Sequence, residues 1–163
     1  MIRSRQILIF GGLALAAFGM LYGLHYAFFV EHQTLDRLGG DLAQAFASAA
    51  EKNPAQSNSA LEAYGNTKYD YVRQVDAHSH WIGLAMIMVV LGLTFERVNL
   101  AEAFRQWVAI ALLVGSVLFP LAVLLQTYEH GSQVGKTCAV VGSGLVIAAL
   151  AATAFGFARQ GRT

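Results

Sequence analysis

Five histidines, His25, His32, His78, His80 and His130, are the side chains of this chain best suited to hold a metal or a cofactor. His78 and His80 lie in the run Asp76-Ala77-His78-Ser79-His80-Trp81, at the mouth of an apolar segment. An ionisable group at the edge of a membrane span is costly and needs a partner, so this run poses the functional question first. Neutral imidazole is a standard ligand for haem iron, copper and zinc. The single cysteine, Cys138, excludes an intramolecular disulfide and a C-x-x-C metal or redox motif. With little acid at depth, the chemistry favoured is imidazole coordination of haem b or, second, copper.

Composition sets where these residues sit. Of 163 residues, 56% are hydrophobic and 13% charged, against about 25% charged in a soluble domain. The apolar residues fall in long blocks, so the natural solvent is lipid. A net charge of +1 gives no reason to expect nucleic acid. Four segments, 7–30, 78–95, 107–126 and 138–157, approach the roughly 20 residues that a helical span needs. The first is longer than a signal-peptide core and reads as a retained span. The predicted fold is an all-α integral membrane protein, a single domain over 1–163. It is a four-transmembrane-helix bundle in a bilayer, with a small helical extracytoplasmic cap made by the insertion 31–76.

Arg3, Arg5, Arg97, Arg105, Arg159 and Arg162 gather on one side of this topology. The positive-inside rule then places both termini in the cytoplasm of a multi-pass protein of the bacterial inner membrane. Within 31–76, an amphipathic helix is predicted over 41–52 and ended by Asn53-Pro54. A second short helix runs to Tyr64 and stops at Gly65-Asn66. Residues 67–77 then run helically into the second span. Tyr64, Tyr69 and Tyr71 suit an interfacial belt.

This topology brings all five histidines to the outer face. His25 and His32 share a helix face if the helix continues between them, with His25 roughly 10 Å deeper. Tyr22 and Tyr26 lie beside His25. His78 and His80 are about 200° apart around a helix, so one of them faces the bundle. Asp76, four residues before His80, is placed to hold its second ring nitrogen, as a carboxylate does behind a metal-bound histidine. Gln126 and His130 form a similar pair on the third span. Pro120 should kink that span and free the carbonyl of Ser116. The expected site sets His25 against His80 or His78 as haem ligands; a copper site would add His32 or His130. Taken one at a time, His32 and His130 read most simply as interfacial anchors.

The segment His78-Ser79-His80-Trp81-Ile82-Gly83-Leu84-Ala85-Met86 resembles the H-x-H-x-x-x-G segment of proteins related to haem-copper oxidase subunit I, which include small four-helix membrane proteins. In that family a helix running inward carries a haem-ligating histidine near its outer end. The resemblance covers roughly twenty residues and implies a haem-b ligand at His78 or His80. The later histidines that hold the family's copper are absent here, so what it implies is haem binding, sensing or electron transfer.

Other features bear on partners. Gly19-x-x-x-Gly23 and Gly142-Ser143-Gly144 permit close helix approach, within the bundle, in a homo-oligomer or against a larger membrane complex. Gly131-Ser132-Gln133-Val134-Gly135-Lys136-Thr137 imitates a phosphate-binding loop but comes after a span instead of a strand, and is rejected as one. Met86 and Met88 read as core filling, and the fourth span as structural. Two functions are compatible with these features: a membrane haem or copper protein, or a non-catalytic accessory subunit of a larger respiratory or other membrane complex. A permease is disfavoured, because no polar residues line a path through the inner half.

Overall fold

A computed structural model describes residues 3–160, and Arg162 lies outside them. The described chain is five α-helices with two short helical turns. Helix α1 spans Arg3–Tyr26 and passes through a π-turn, Ala27–Glu31, into α2, His32–Ala50. Helix α3 spans Pro54–Thr94 and ends in a 3-10 turn, Phe95–Arg97. Helices α4, Glu102–Tyr128, and α5, Gln133–Gln160, complete the chain. Four helical stretches, one of them the α1–α2 run, are long and apolar enough to cross a membrane.

Helix α1 packs on α3 and α4, α3 also packs on α4, and α5 packs chiefly against α4. The core is made by Leu8 and Leu15 of α1, Trp81, Ala85 and Met88 of α3, and Val108, Ala109 and Leu112 of α4. Small residues set the spacing. A Cβ on Gly12 would stand 2.9 Å from the Ala85 carbonyl oxygen, and one on Gly19 would stand 3.1 Å from the Trp81 Cβ. On the other flank, a Cβ on Gly142 would stand 2.7 Å from the Phe119 backbone nitrogen. Gly19 and Gly23 of the first motif and Gly142 of the second are therefore packing positions inside this chain, whereas Gly144 faces open space.

Polar groups tie the arginine-rich end together. Arg5 Nη1 pairs with Glu96 Oε1 at 2.9 Å, and Ser4 Oγ donates to Glu102 Oε1 at 3.1 Å. Arg105 Nη2 meets Glu102 Oε2 at 2.8 Å. The Asn99 amide donates to the Gly156 carbonyl at 3.2 Å, fastening the α3–α4 loop across the end of α5.

The insertion 31–76 differs from its expectation. The short separate helices expected within it are not formed. Instead α1 and α2 make one run of 48 residues, and α3 is a single helix of 41 residues. At 1.5 Å per residue these are roughly 70 and 60 Å long, twice the roughly 30 Å of a hydrocarbon core. Helix α2 packs along the first half of α3, so the insertion is an antiparallel helical hairpin that prolongs two of the spans. The break at Asn53-Pro54 falls as read: Pro54 opens α3 and Asn53 Oδ1 accepts from the Gln56 amide at 3.2 Å as the cap. Lys52, with φ 57, turns the chain between the two helices. Gly65-Asn66 does not stop α3. A mid-helix glycine costs only about 1 kcal/mol, and the packing of α2 outweighs it.

Candidate functional site

The structure separates the five histidines. His78 faces α1. Its ring lies directly over Gly23, in space that any side chain there would occupy, and its Nδ1 is 2.9 Å from the Gly19 carbonyl oxygen. A carbonyl only accepts, so Nδ1 carries the proton and donates. The Gly19-x-x-x-Gly23 groove thus receives an imidazole from the facing helix, and the hydrogen bond holds α3 to α1.

His25 does not face His78. Gly23 looks toward α3, and His25, two residues on, points about 200° away around α1. It is exposed and lies against Phe29, ring centroids 5.4 Å apart. His80 is turned to α4, 4.7 Å from the Phe119 ring. Among the described residues no hydrogen bond joins Asp76 to His80. His32 lies 3.6 Å from Asp36 on the exposed side of α2. The π-turn between His25 and His32 explains why they part: a bulge that adds one residue to a turn rotates the helix beyond it by about 100°. His130 Nε2 meets Asp70 Oδ1 at 2.8 Å. Among the described residues no group of three or more histidine, cysteine or acidic side chains is placed to hold a metal ion.

What does assemble is a polar end of the bundle, where α3 meets α1 and α4. Tyr22, His25 and Tyr26 of α1, Asp70 and Gln74 of α3, and Thr127 of α4 border a cavity of about 410 Å³. The Tyr26 hydroxyl is buried beside the Thr34 side chain. Beside it, Tyr69 donates its hydroxyl to Gln126 Oε1 at 3.3 Å, and Gln126 Nε2 donates to the Ala122 carbonyl at 3.2 Å. The Tyr69 and His130 rings meet edge to face at 5.1 Å. Among the described residues no hydrogen bond joins Gln126 to His130. Their side-chain partners are Tyr69 and Asp70 of α3.

Sequence reading missed Tyr69, Asp70, Gln74, Thr127 and Tyr128 as members of this end. The available signal was the Tyr69-Asp70 pair in a helix expected to continue into the second span. Gln126 is 6% exposed, so losing its bond matters: Tyr69→Phe should lower stability by about 1 kcal/mol. The readout is the thermal-unfolding midpoint in detergent, and an unchanged midpoint would show that the bond carries nothing.

Helix α4 runs unbroken through Pro120. Proline has no N–H to give the Ser116 carbonyl, and the Ser116 hydroxyl is itself buried without a partner. Both polar groups lie on α4 within a turn of Phe119, the residue on which His80 packs.

These positions bear on haem and copper alike. A bis-histidine haem needs two imidazoles across a gap, and His78 is instead seated on the α1 backbone while His25 and His80 face elsewhere. A copper ion needs a convergent donor set, which the five histidines do not make. The residues present do not fit either of those sites. They offer one imidazole, His25, at the wall of a cavity.

The chain matches no protein-family model, no curated protein and no solved structure in the three comparisons made.

Proposed function

We propose that this chain is a non-catalytic accessory subunit of a larger membrane complex, and that it docks through the α2–α3 hairpin. One observation carries the reading. The hairpin bears Asp36, Arg37, Asp41, Glu62, Lys68 and Asp70, so it belongs in water, yet it leaves large apolar side chains uncovered. Leu35, Leu42 and Phe46 succeed one another at helical spacing along α2, with Gly39 between them. Leu35 is 46% and Phe46 68% exposed. No Cβ neighbour lies within 4 Å of Gly39, so the stripe has a flat, open middle. A contiguous apolar face in water, bordered by charge, marks an interaction surface. A partner helix of complementary apolar spacing would cover it.

Leu35→Glu with Phe46→Glu should release the chain from its complex and leave the helical content of the isolated protein unchanged. The measurement is the mass of the particle extracted from native membranes in mild detergent. Identical masses for wild type and variant would count against the hairpin as the docking element.

A second reading has its own support. It rests on the family resemblance: haem b held by His25 alone, at the wall of the cavity that Tyr22 and Tyr26 also border. The supporting result is a Soret band in the purified protein that His25→Ala removes. A colourless protein, free of iron and copper by elemental analysis, rejects it.

A further inference from the structure

A second cavity opens at the same end of the bundle, on the far side of the Tyr69–Gln126 bond, between α3 and the turn joining α4 to α5. Its volume is about 470 Å³ and its walls include Asn66, Tyr69 and Arg73 of α3, with Gln126, His130 and Lys136 from the other side. Its charge is one-sided. Arg73 lies over the Tyr69 ring, its guanidinium carbon 4.9 Å from the centroid, and Lys136 stands on the first turn of α5. Among the described residues neither cation makes an ion pair. The nearby carboxylate of Asp70 is committed to His130 at 2.8 Å, and it faces the neighbouring cavity beside His25. Glu129, in the turn itself, is not among the lining residues.

Two unpaired cations and the Asn66 amide therefore line a space large enough to hold a phosphate with its glycerol. Phosphate is the chemistry that guanidinium and ammonium groups recognise together. The surroundings point to where the phosphate comes from. Val140 and Ile147 continue the face of α5 that begins at Lys136, and they are 70% and 66% exposed. A cation at the interface with a bare apolar stripe running inward below it is the profile that a lipid presents in reverse. We propose that this cavity receives the phosphate of an anionic membrane phospholipid, held by Arg73 and Lys136, with an acyl chain lying along Val140 and Ile147.

The test is native mass spectrometry of the full chain in a non-ionic detergent. Phosphatidylglycerol, phosphatidylcholine of the same chain length and inorganic phosphate are titrated in turn. Wild type should retain one phosphatidylglycerol in preference to phosphatidylcholine. Each interfacial cation contributes severalfold to binding an anionic lipid, so Arg73→Gln with Lys136→Gln should weaken retention on the order of tenfold or more. Val140→Asn should weaken phosphatidylglycerol without altering any response to inorganic phosphate. Equal retention of the two lipids by wild type overturns the proposal without reference to any variant. So does undiminished phosphatidylglycerol binding in the double variant with its circular dichroism intact. Displacement of the lipid by an equal concentration of inorganic phosphate overturns the lipid assignment and makes the cavity a site for the free anion.

Discussion

Gly142→Leu should separate α5 from the rest of the molecule, while Gly144→Leu, two residues away, should change nothing. The Cβ of a residue at 142 would stand 2.7 Å from the Phe119 backbone nitrogen and 2.9 Å from its Cα. A backbone cannot rotate aside as a side chain can, so the two helices must part. Overpacking in a tight interface costs about 1–3 kcal/mol. Here the cost falls on a helix held chiefly by its contact with α4. At Gly144 there is nothing within 4 Å of the Cβ position, which makes it a control within the same Gly-Ser-Gly run. Cys138, half-buried near the start of α5, reports the outcome. Its labelling by a maleimide in detergent should be faster in Gly142→Leu than in wild type and unchanged in Gly144→Leu. Equal rates in all three would mean that α5 is held by something other than this close approach.

The second large effect lies at the α1–α3 contact. Gly23→Leu should destabilise the protein by about 2–3 kcal/mol, because the new side chain claims the space of the His78 ring. His78→Ala should also destabilise it, by less. It removes the hydrogen bond to Gly19 and leaves a void, and hydrogen bonds between membrane helices are worth only about 0.6 kcal/mol on average. The diagnostic result is their combination. In the His78→Ala background the clash is gone, so Gly23→Leu should cost far less than it does alone. The expected coupling falls in the range of about 0.5–3 kcal/mol found for residues in direct contact. Additive costs would show that the ring does not occupy the glycine groove. Gly83→Leu, at a position with nothing within 4 Å of its Cβ, gives the baseline.

The four long apolar helices were legible because lipid imposes a simple rule: about twenty apolar residues, helical throughout. The close approaches at Gly19, Gly23 and Gly142 were legible for the same kind of reason, since only small residues let backbones approach; that Gly144 faces open space was not. Which helix each glycine meets could not be read. That depends on the vertical register of antiparallel spans, and nothing in the sequence states that His78 of one span stands level with Gly23 of another. The histidine pattern misled on the same point. All five cluster by sequence near one end, but direction around a helix decides whether they converge, and one π-turn between His25 and His32 is enough to part them. The hairpin was misjudged because Gly65-Asn66 reads as a stop. Tertiary packing of α2 along α3 overrides that local signal.

The same packing leaves Leu35 and Phe46 bare, and this is the surface on which the functional reading rests. The most direct test is the mass of the particle that carries this chain when native membranes are dissolved in mild detergent. The reading predicts a particle well above the 17.5 kDa of the single chain, reduced to that of the free protein by Leu35→Glu with Phe46→Glu. A monomer of 17.5 kDa in both wild type and variant would contradict it.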